Sequence, residues 1–463
     1  MSAPRPLGLR TPPLWSGRVR TTLVLAVLAV LLLAGCSGSD DPVQPPENLT
    51  PEQELTRFIR ANYPLETTPK NIPYPPNNPP DDEVIALGRL VFFDPVLSGD
   101  GDVACATCHH PAFAWGDGLP VSIGVGGEGI GPDRVATLPG QPTEFTTPRN
   151  SPTVLDVAFN RPFAGEGEHR GRMFWDGRAN GLEEQARLPV RSRDEMRHDA
   201  YTAPEALTRV LENLQAIDEY VALFAAAFPA VADQIENAFG PGYEHLVING
   251  DTYSRALAAY QRELVTADSP YDRFVRGADD ALTYSQKRGL DIFHRVGCFE
   301  CHSGPMFSDY EFHALGVKQG GSGKPPIHET GDGSDLGRYL ESGRAEDRNA
   351  FRTPTLRNIA LTAPYFHTGG VETGGDYQTL RSVIEFHRRG GNDEGLPVEA
   401  LSPDLKAIEL LEPEVEDLIA FLESLTAARL ASDRVDPTVP AEVPSGLAPP
   451  PILPPVLTND FGR

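Results

Sequence analysis

The sequence predicts an all-α fold in two similar halves, joined and interrupted by long irregular loops. Three observations carry this. The pentapeptides Cys105-Ala106-Thr107-Cys108-His109 and Cys298-Phe299-Glu300-Cys301-His302 use four of the five cysteines. A glycine and a phenylalanine recur at one spacing ahead of each, in Gly88-Arg89-Leu90-Val91-Phe92 and Gly289-Leu290-Asp291-Ile292-Phe293. Apolar residues at helical spacing close each half, and no convincing alternating strand is found between them.

Each pentapeptide has its own chemistry. Two thiols three positions apart can form thioethers with the vinyl groups of one haem, and the next residue presents an imidazole to the iron. A bare Cys-x-x-Cys pair also reads as a redox disulfide or half a zinc site, but a histidine directly after both copies argues against that. Cys105, Cys108 and His109 are therefore expected to hold one c-type haem, and Cys298, Cys301 and His302 a second. Each half is expected to be a cytochrome c-like domain.

Taken in chain order, residues 1–35 carry Arg5, Arg10, Arg18 and Arg20, no acid, and an apolar run from Leu23 to Leu33. They read as a signal peptide whose Leu33-Ala34-Gly35-Cys36 ending is a lipobox, so Cys36 is expected to be lipidated. That accounts for the fifth cysteine and implies a periplasmic or extracytoplasmic, lipid-anchored protein. Ser37, in place of aspartate, points to the outer membrane. Residues 36–80 are rich in Pro, Asn and Asp and read as a flexible tether with one short helix near Leu55 to Ile59. The first domain is placed at 81–268 and the second at 269–430, with the junction near Thr266 to Thr283. Residues 431–463, with prolines at 437, 440, 444, 449, 450, 451, 454 and 455, read as a disordered tail.

Within the first half, glycine and phenylalanine four residues apart share a helix face, where the glycine lets another helix approach and the ring fills the contact. Tyr253, Leu257, Tyr260 and Leu264 form the closing helix of that half. Val415, Leu418, Ile419, Leu422 and Leu425 do so in the second. Ala206 to Phe228 is a further helix candidate, and Gly124 to Pro142 and Gly316 to Gly337 read as long loops. The formal charge of -25 becomes more negative once residues 1–35 are removed. Such a surface disfavours nucleic acid and anionic lipid and attracts a basic electron-donor protein.

Beyond the haem motifs, the stretches Leu97-Ser98-Gly99-Asp100-Gly101, Arg149-Asn150-Ser151-Pro152-Thr153, Phe174-Trp175-Asp176-Gly177-Arg178, Leu182-Glu183-Glu184-Gln185-Ala186 and Arg352-Thr353-Pro354-Thr355-Leu356-Arg357-Asn358 are together highly specific. Over about residues 83 to 427 the chain resembles the bacterial di-haem cytochrome c peroxidases, including the branch of the methylamine-utilisation di-haem protein. The resemblance implies reduction of hydrogen peroxide to water by electrons from a small donor such as a cytochrome c or cupredoxin. The haem at His109 would be peroxidatic and the haem at His302 the electron relay. Glu195 aligns with the family's distal glutamate, which moves protons during O–O cleavage, and Gln185 with a distal amide. Trp175 matches the tryptophan between the two cofactors. Asn150, with the carbonyls of Thr362 and Pro364, matches an inter-haem calcium site.

Two departures from the family pattern matter. Many members place a histidine after a Ser-Ile-Gly tripeptide to cap the first haem, but here Ser122-Ile123-Gly124 leads into Val125, which cannot bind iron. The first haem is therefore expected to be open at rest. His110 would have to reach the opposite haem face and is expected to be exposed instead. The second departure is His387, which stands where the family has methionine or tyrosine as sixth ligand to the relay iron. Imidazole at that place gives a six-coordinate, low-spin relay with a lowered reduction potential. His367, in Pro364-Tyr365-Phe366-His367, is the competing ligand. Two other activities stay open: peroxide-dependent oxidation of a partner protein's Trp or Tyr side chains, and non-catalytic electron carriage.

Overall fold

The computed structural model describes residues 49–137, 146–160, 172–319, 335–370 and 377–457. The signal segment, Cys36 and the start of the tether lie outside them, as do parts of both long loops. Among the described residues no helix is long and apolar enough to cross a membrane.

The chain is mainly helical. The first half contains α1 (Pro51–Asn62), α2 (Asp82–Phe93), α3 (Cys105–Cys108), α4 (Leu182–Gln185), α5 (Ala206–Gln215), α6 (Asp218–Ala227), α7 (Pro229–Phe239) and α8 (Gly250–Glu263). The second contains α9 (Pro270–Val275), α10 (Tyr284–Arg295), α11 (Cys298–Cys301), α12 (Tyr339–Ser342), α13 (Leu380–Arg388) and α14 (Glu412–Glu423). Strand structure among the described residues is confined to two-residue antiparallel pairs: β1 (Gly127–Glu128) with β2 (Val135–Ala136), β3 (Thr266–Ala267) with β6 (Arg429–Leu430), and β4 (Phe312–His313) with β5 (Phe351–Arg352). The Ala206 to Phe228 candidate is two helices. Ile217 is extended between them, with Asp218 and Glu219 opening α6.

The repeated Gly/Phe signal sets how each half is built. The α2 N-terminus is capped by Asp81, whose carboxylate accepts from the backbone N–H of Glu83 and Val84, both at 3.0 Å. Thr283 and Gln286 form a reciprocal capping box at the start of α10. Helix α2 then crosses α8 so closely that a Cβ on Gly88 would lie 2.0 Å from Ala256 O. Helix α10 crosses α14 in the same way, and a Cβ on Gly289 would lie 1.9 Å from Asp417 O. One turn on, Phe92 meets Tyr260 and Phe293 meets Phe421, each pair with ring centroids 5.3 Å apart. A methyl at Gly289 must push two helix backbones apart. Gly289→Ala should cost about 1–3 kcal/mol or more, measured as a lowered thermal midpoint for loss of haem-region absorbance. An unchanged midpoint would show that the crossing is not this tight.

Two apolar cores result. One is centred on Phe92, Trp115, Tyr253 and Tyr260, the other on Phe293, Phe307, Phe386 and Phe421. The short helix expected near Leu55 to Ile59 is present as α1, but the packing of residues 49–80 and 431–457 departs from the sequence reading. Within the expected tether, α1 is capped by Thr50 and buries Ile59 in the second core, and Glu52 pairs with Lys287 Nζ at 2.6 Å. The expected disordered tail is ordered over its described part. Val435, Val439 and Val443 are buried in the first core, Ser445 Oγ donates to Asp94 Oδ1 at 2.7 Å, and Val456 N donates to Pro111 O at 3.1 Å. Prolines already restrict the unfolded chain, so a proline-rich segment with a buried valine every fourth residue is ordered at low entropic cost.

Candidate active site

Two cavities lie at the Cys-x-x-Cys-His segments. The first, about 430 Å³, is walled by Cys105, Cys108 and His109 from the α3 turn and by Gln185, Glu195 and Trp175. The second, about 270 Å³, is walled by Cys298, Cys301 and His302 together with Trp175, His367 and His387. In both, the histidine after the second cysteine is held by its own loop. His109 Nδ1 lies 3.2 Å from Trp115 O, and His302 Nδ1 lies 2.9 Å from Phe307 O. Each Nδ1–H donates to that carbonyl, which leaves Nε2 as the unprotonated metal-binding nitrogen. Burial pushes the His109 pKa down to about 4 and lowers that of His302, so both rings are neutral. Burial also holds Cys105 and Cys298 protonated, with pKa values raised to about 12. Paired thiols, a neutral imidazole and a largely apolar wall suit a covalently attached c-type haem in each cavity.

Glu195 lies in a π-helical turn, Arg193–Arg197, that opens on Ser192, whose Oγ accepts from Glu195 N at 3.3 Å. Such turns redirect one side chain out of regular helical register. Glu195 lines the first cavity. Burial raises its pKa, partly countered by Arg178 and reinforced by Asp194. Gln185, at the end of α4, faces the same cavity and accepts from Gln261 Nε2 at 3.4 Å. The Ser122-Ile123-Gly124 loop buttresses this turn: a Cβ on Gly124 would lie 2.0 Å from Asp194 O, and Val125 N donates to Asp194 O at 3.3 Å. Val125 itself is buried in the first core. Met196 also reaches the cavity wall, with its side chain packed in that core.

His110 is buried rather than exposed. Its Nδ1 accepts from Ala112 N at 3.1 Å and its Nε2 donates to Pro451 O at 3.1 Å. The ordered tail supplies that acceptor, so the expectation failed for the same reason as the disordered-tail reading.

The family relationship rests on sequence likeness along most of the chain. A family model described as "Di-haem cytochrome c peroxidase" matches residues 82–280. The methylamine utilization protein MauG of Methylorubrum extorquens is 34% identical over 362 residues, which covers 78% of this chain and 82% of that protein. The chain belongs to the di-haem cytochrome c peroxidase family. The cytochrome c551 peroxidase of Pseudomonas aeruginosa is 32% identical over 73% of this chain and 78% of its own. Among solved structures, a MauG-like protein associated with microbial copper homeostasis superposes with a TM-score of 0.59 at 28% identity, over 79% of this chain and 96% of that one. Membership of this di-haem family implies two c-type haems.

Trp175 lines both cavities. Its Nε1 donates to Asn150 O at 3.0 Å, its carbonyl accepts from Arg352 N at 2.9 Å, and its ring meets that of His367 edge-on at 6.3 Å. Beneath it Arg149, unremarked in sequence except as part of a motif, bridges Asp335 with two bonds (2.6 and 2.8 Å) and Asp176 with one (2.6 Å). These bonds hold Asp176 and Asp335 ionised, the latter with a pKa pulled down to about 2. The network ties the first-cavity wall to the β5 side of the second.

In the second cavity, α13 presents Leu380, Val383, Ile384 and His387, the residues of one helical face. Burial and nearby His302 lower the His387 pKa to about 4, so its ring is a neutral donor. His367 lines the same cavity, but its ring is stacked on Phe351 at 3.5 Å. Asn150 donates through Nδ2 to Leu119 O at 2.8 Å, so its side-chain oxygen is the atom that would face an ion. Pro364 follows a cis peptide bond.

Proposed function

We propose that this peroxidase reduces hydrogen peroxide in the first cavity and receives electrons through the second. The observation that carries it is the unequal furnishing of the two cavities. The larger one combines one held imidazole with a carboxyl and an amide. The smaller one has the held imidazole of His302 and the neutral imidazole of His387 in its wall. When bound, the haems supply the iron that exchanges electrons with peroxide. Everything else falls to the chain. Gln185 positions peroxide or water, and the Glu195 carboxylate takes the proton of one peroxide oxygen and returns it to the other, so that the departing oxygen leaves as water. Two electrons and two further protons complete the conversion of one peroxide to two waters. Trp175, the side chain shared by both cavities, is the route for the electrons.

His302 and His387 would hold the iron of the relay haem, and His109 that of the peroxidatic haem. Residues 81–268 and 269–430 are the corresponding cytochrome c-like domains. The donor is a small, basic, extracytoplasmic redox protein, drawn by the acidic surface. The Asn150 side-chain oxygen with the carbonyls of Thr362 and Pro364 is assigned to a calcium ion, whose shell water would complete. Cys36 is assigned as the lipid anchor.

The likeness to MauG proteins and the histidine at position 387 favour one second reading, oxidation of Trp or Tyr side chains on a partner protein. Fast peroxide-dependent oxidation of a reduced small cytochrome c separates the first reading from stable charge storage without such turnover. The primary test is electron paramagnetic resonance of the oxidised holoprotein before and after peroxide. One high-spin and one low-spin haem are expected, with the high-spin signal responding to peroxide. Two low-spin haems inert to peroxide would instead mark an electron carrier.

A further inference from the structure

In the second cavity, two side-chain donors of Arg352 lack the partners that their chemistry demands. Arg352 sits on β5, pinned by its backbone N–H to Trp175 O at 2.9 Å, and its side chain joins the cavity wall beneath the Tyr310 ring, with the guanidinium carbon 5.8 Å from the ring centre. Its Nε and Nη1 are out of reach of solvent and of any hydrogen-bond partner. The nearby carboxylates are committed elsewhere. Asp176 and Asp335 bind Arg149, and Asp309 binds His313 Nε2 at 2.8 Å. The other charged residues of this wall, Glu300, Asp404 and Lys406, are exposed. Two guanidinium donors cut off from both solvent and partner call for an acceptor, and an anion suits the planar fork best.

We infer that Arg352 binds a propionate of the relay haem and thereby joins that haem to the backbone of Trp175. This rests on the reading that the second cavity holds a c-type haem, since the propionate is the anion that haem brings into an otherwise uncompensated site. The cation beside the propionate favours the reduced form, which carries one positive charge less on iron. Arg352 would thus counteract the lowering that a second histidine ligand imposes.

The test is redox titration of the holoprotein, following the low-spin haem. Arg352→Gln should shift its reduction equilibrium toward the oxidised form by about ten-fold, or about 59 mV for a one-electron couple. Arg352→Lys should restore most of that shift, and the high-spin haem should change by less than about two-fold. An Arg352→Gln protein with both haems attached and an unchanged low-spin titration overturns the assignment while leaving the haem reading intact. Unaltered protein without covalent haem at Cys298 and Cys301 overturns both. Should the glutamine variant not fold, a crystal structure of the unaltered holoprotein decides: a relay propionate within hydrogen-bond reach of the guanidinium supports the assignment, and one outside it sinks it.

Discussion

Glu195→Gln should lower peroxide turnover by about a hundred- to ten-thousand-fold, the range for loss of a positioned general acid–base. Glutamine keeps the size and one acceptor oxygen of the side chain but cannot take up a proton. Because Glu195 reaches the cavity from a π-helical turn and binds neither thioether sulfur nor iron in this assignment, both haem spectra should be nearly unchanged. Burial raises the carboxyl pKa, and the ionised form is the one that accepts a proton. Turnover in unaltered protein should therefore fall on acidification at a pH above the ordinary carboxylate range. That limb should vanish in Glu195→Gln. Stopped-flow mixing with peroxide across pH reads both, and undiminished turnover in the variant would exclude the proton-transfer role.

His387→Ala should remove the low-spin signal of the oxidised protein completely and replace it with a second high-spin one. Removing the ring takes the neutral imidazole of α13 out of the smaller cavity and leaves His302 in place. His387→Met should return a low-spin centre with a raised reduction potential, because thioether ligation favours ferrous iron. His367 lines the same cavity, so His367→Ala is the necessary companion. If the low-spin signal survives in His387→Ala and disappears in His367→Ala, the axial assignment passes to His367. Paramagnetic resonance and redox titration of the three variants distinguish these outcomes.

Much of the architecture was legible because its signals are local. Gly88 with Phe92, and Gly289 with Phe293, announced close helix crossings, and the structure places them against Ala256 and Tyr260 and against Asp417 and Phe421. The pentapeptides marked two cavities, and one helical face of α13 carried His387 into the second. The failures have a common cause. His110 looked exposed because its partner, Pro451, is 341 residues away. The proline-rich tail looked disordered because composition does not show that Val435, Val439 and Val443 find a groove in a core formed by the opposite end of the chain. Arg352 was visible as part of a motif, but that two of its donors lack partners depends on Arg149 already occupying Asp176 and Asp335.

The sequence by itself determined which atoms can be bonded to a haem and which helix faces must be buried, since these follow from residue type and spacing. Only the tertiary structure decided that one tryptophan would border both cavities, that Glu195 would line the first, and that two donors of a guanidinium would be left unpaired beside the second. Desolvation and charge pairing are set by neighbours distant along the chain, and no local pattern of residues encodes them.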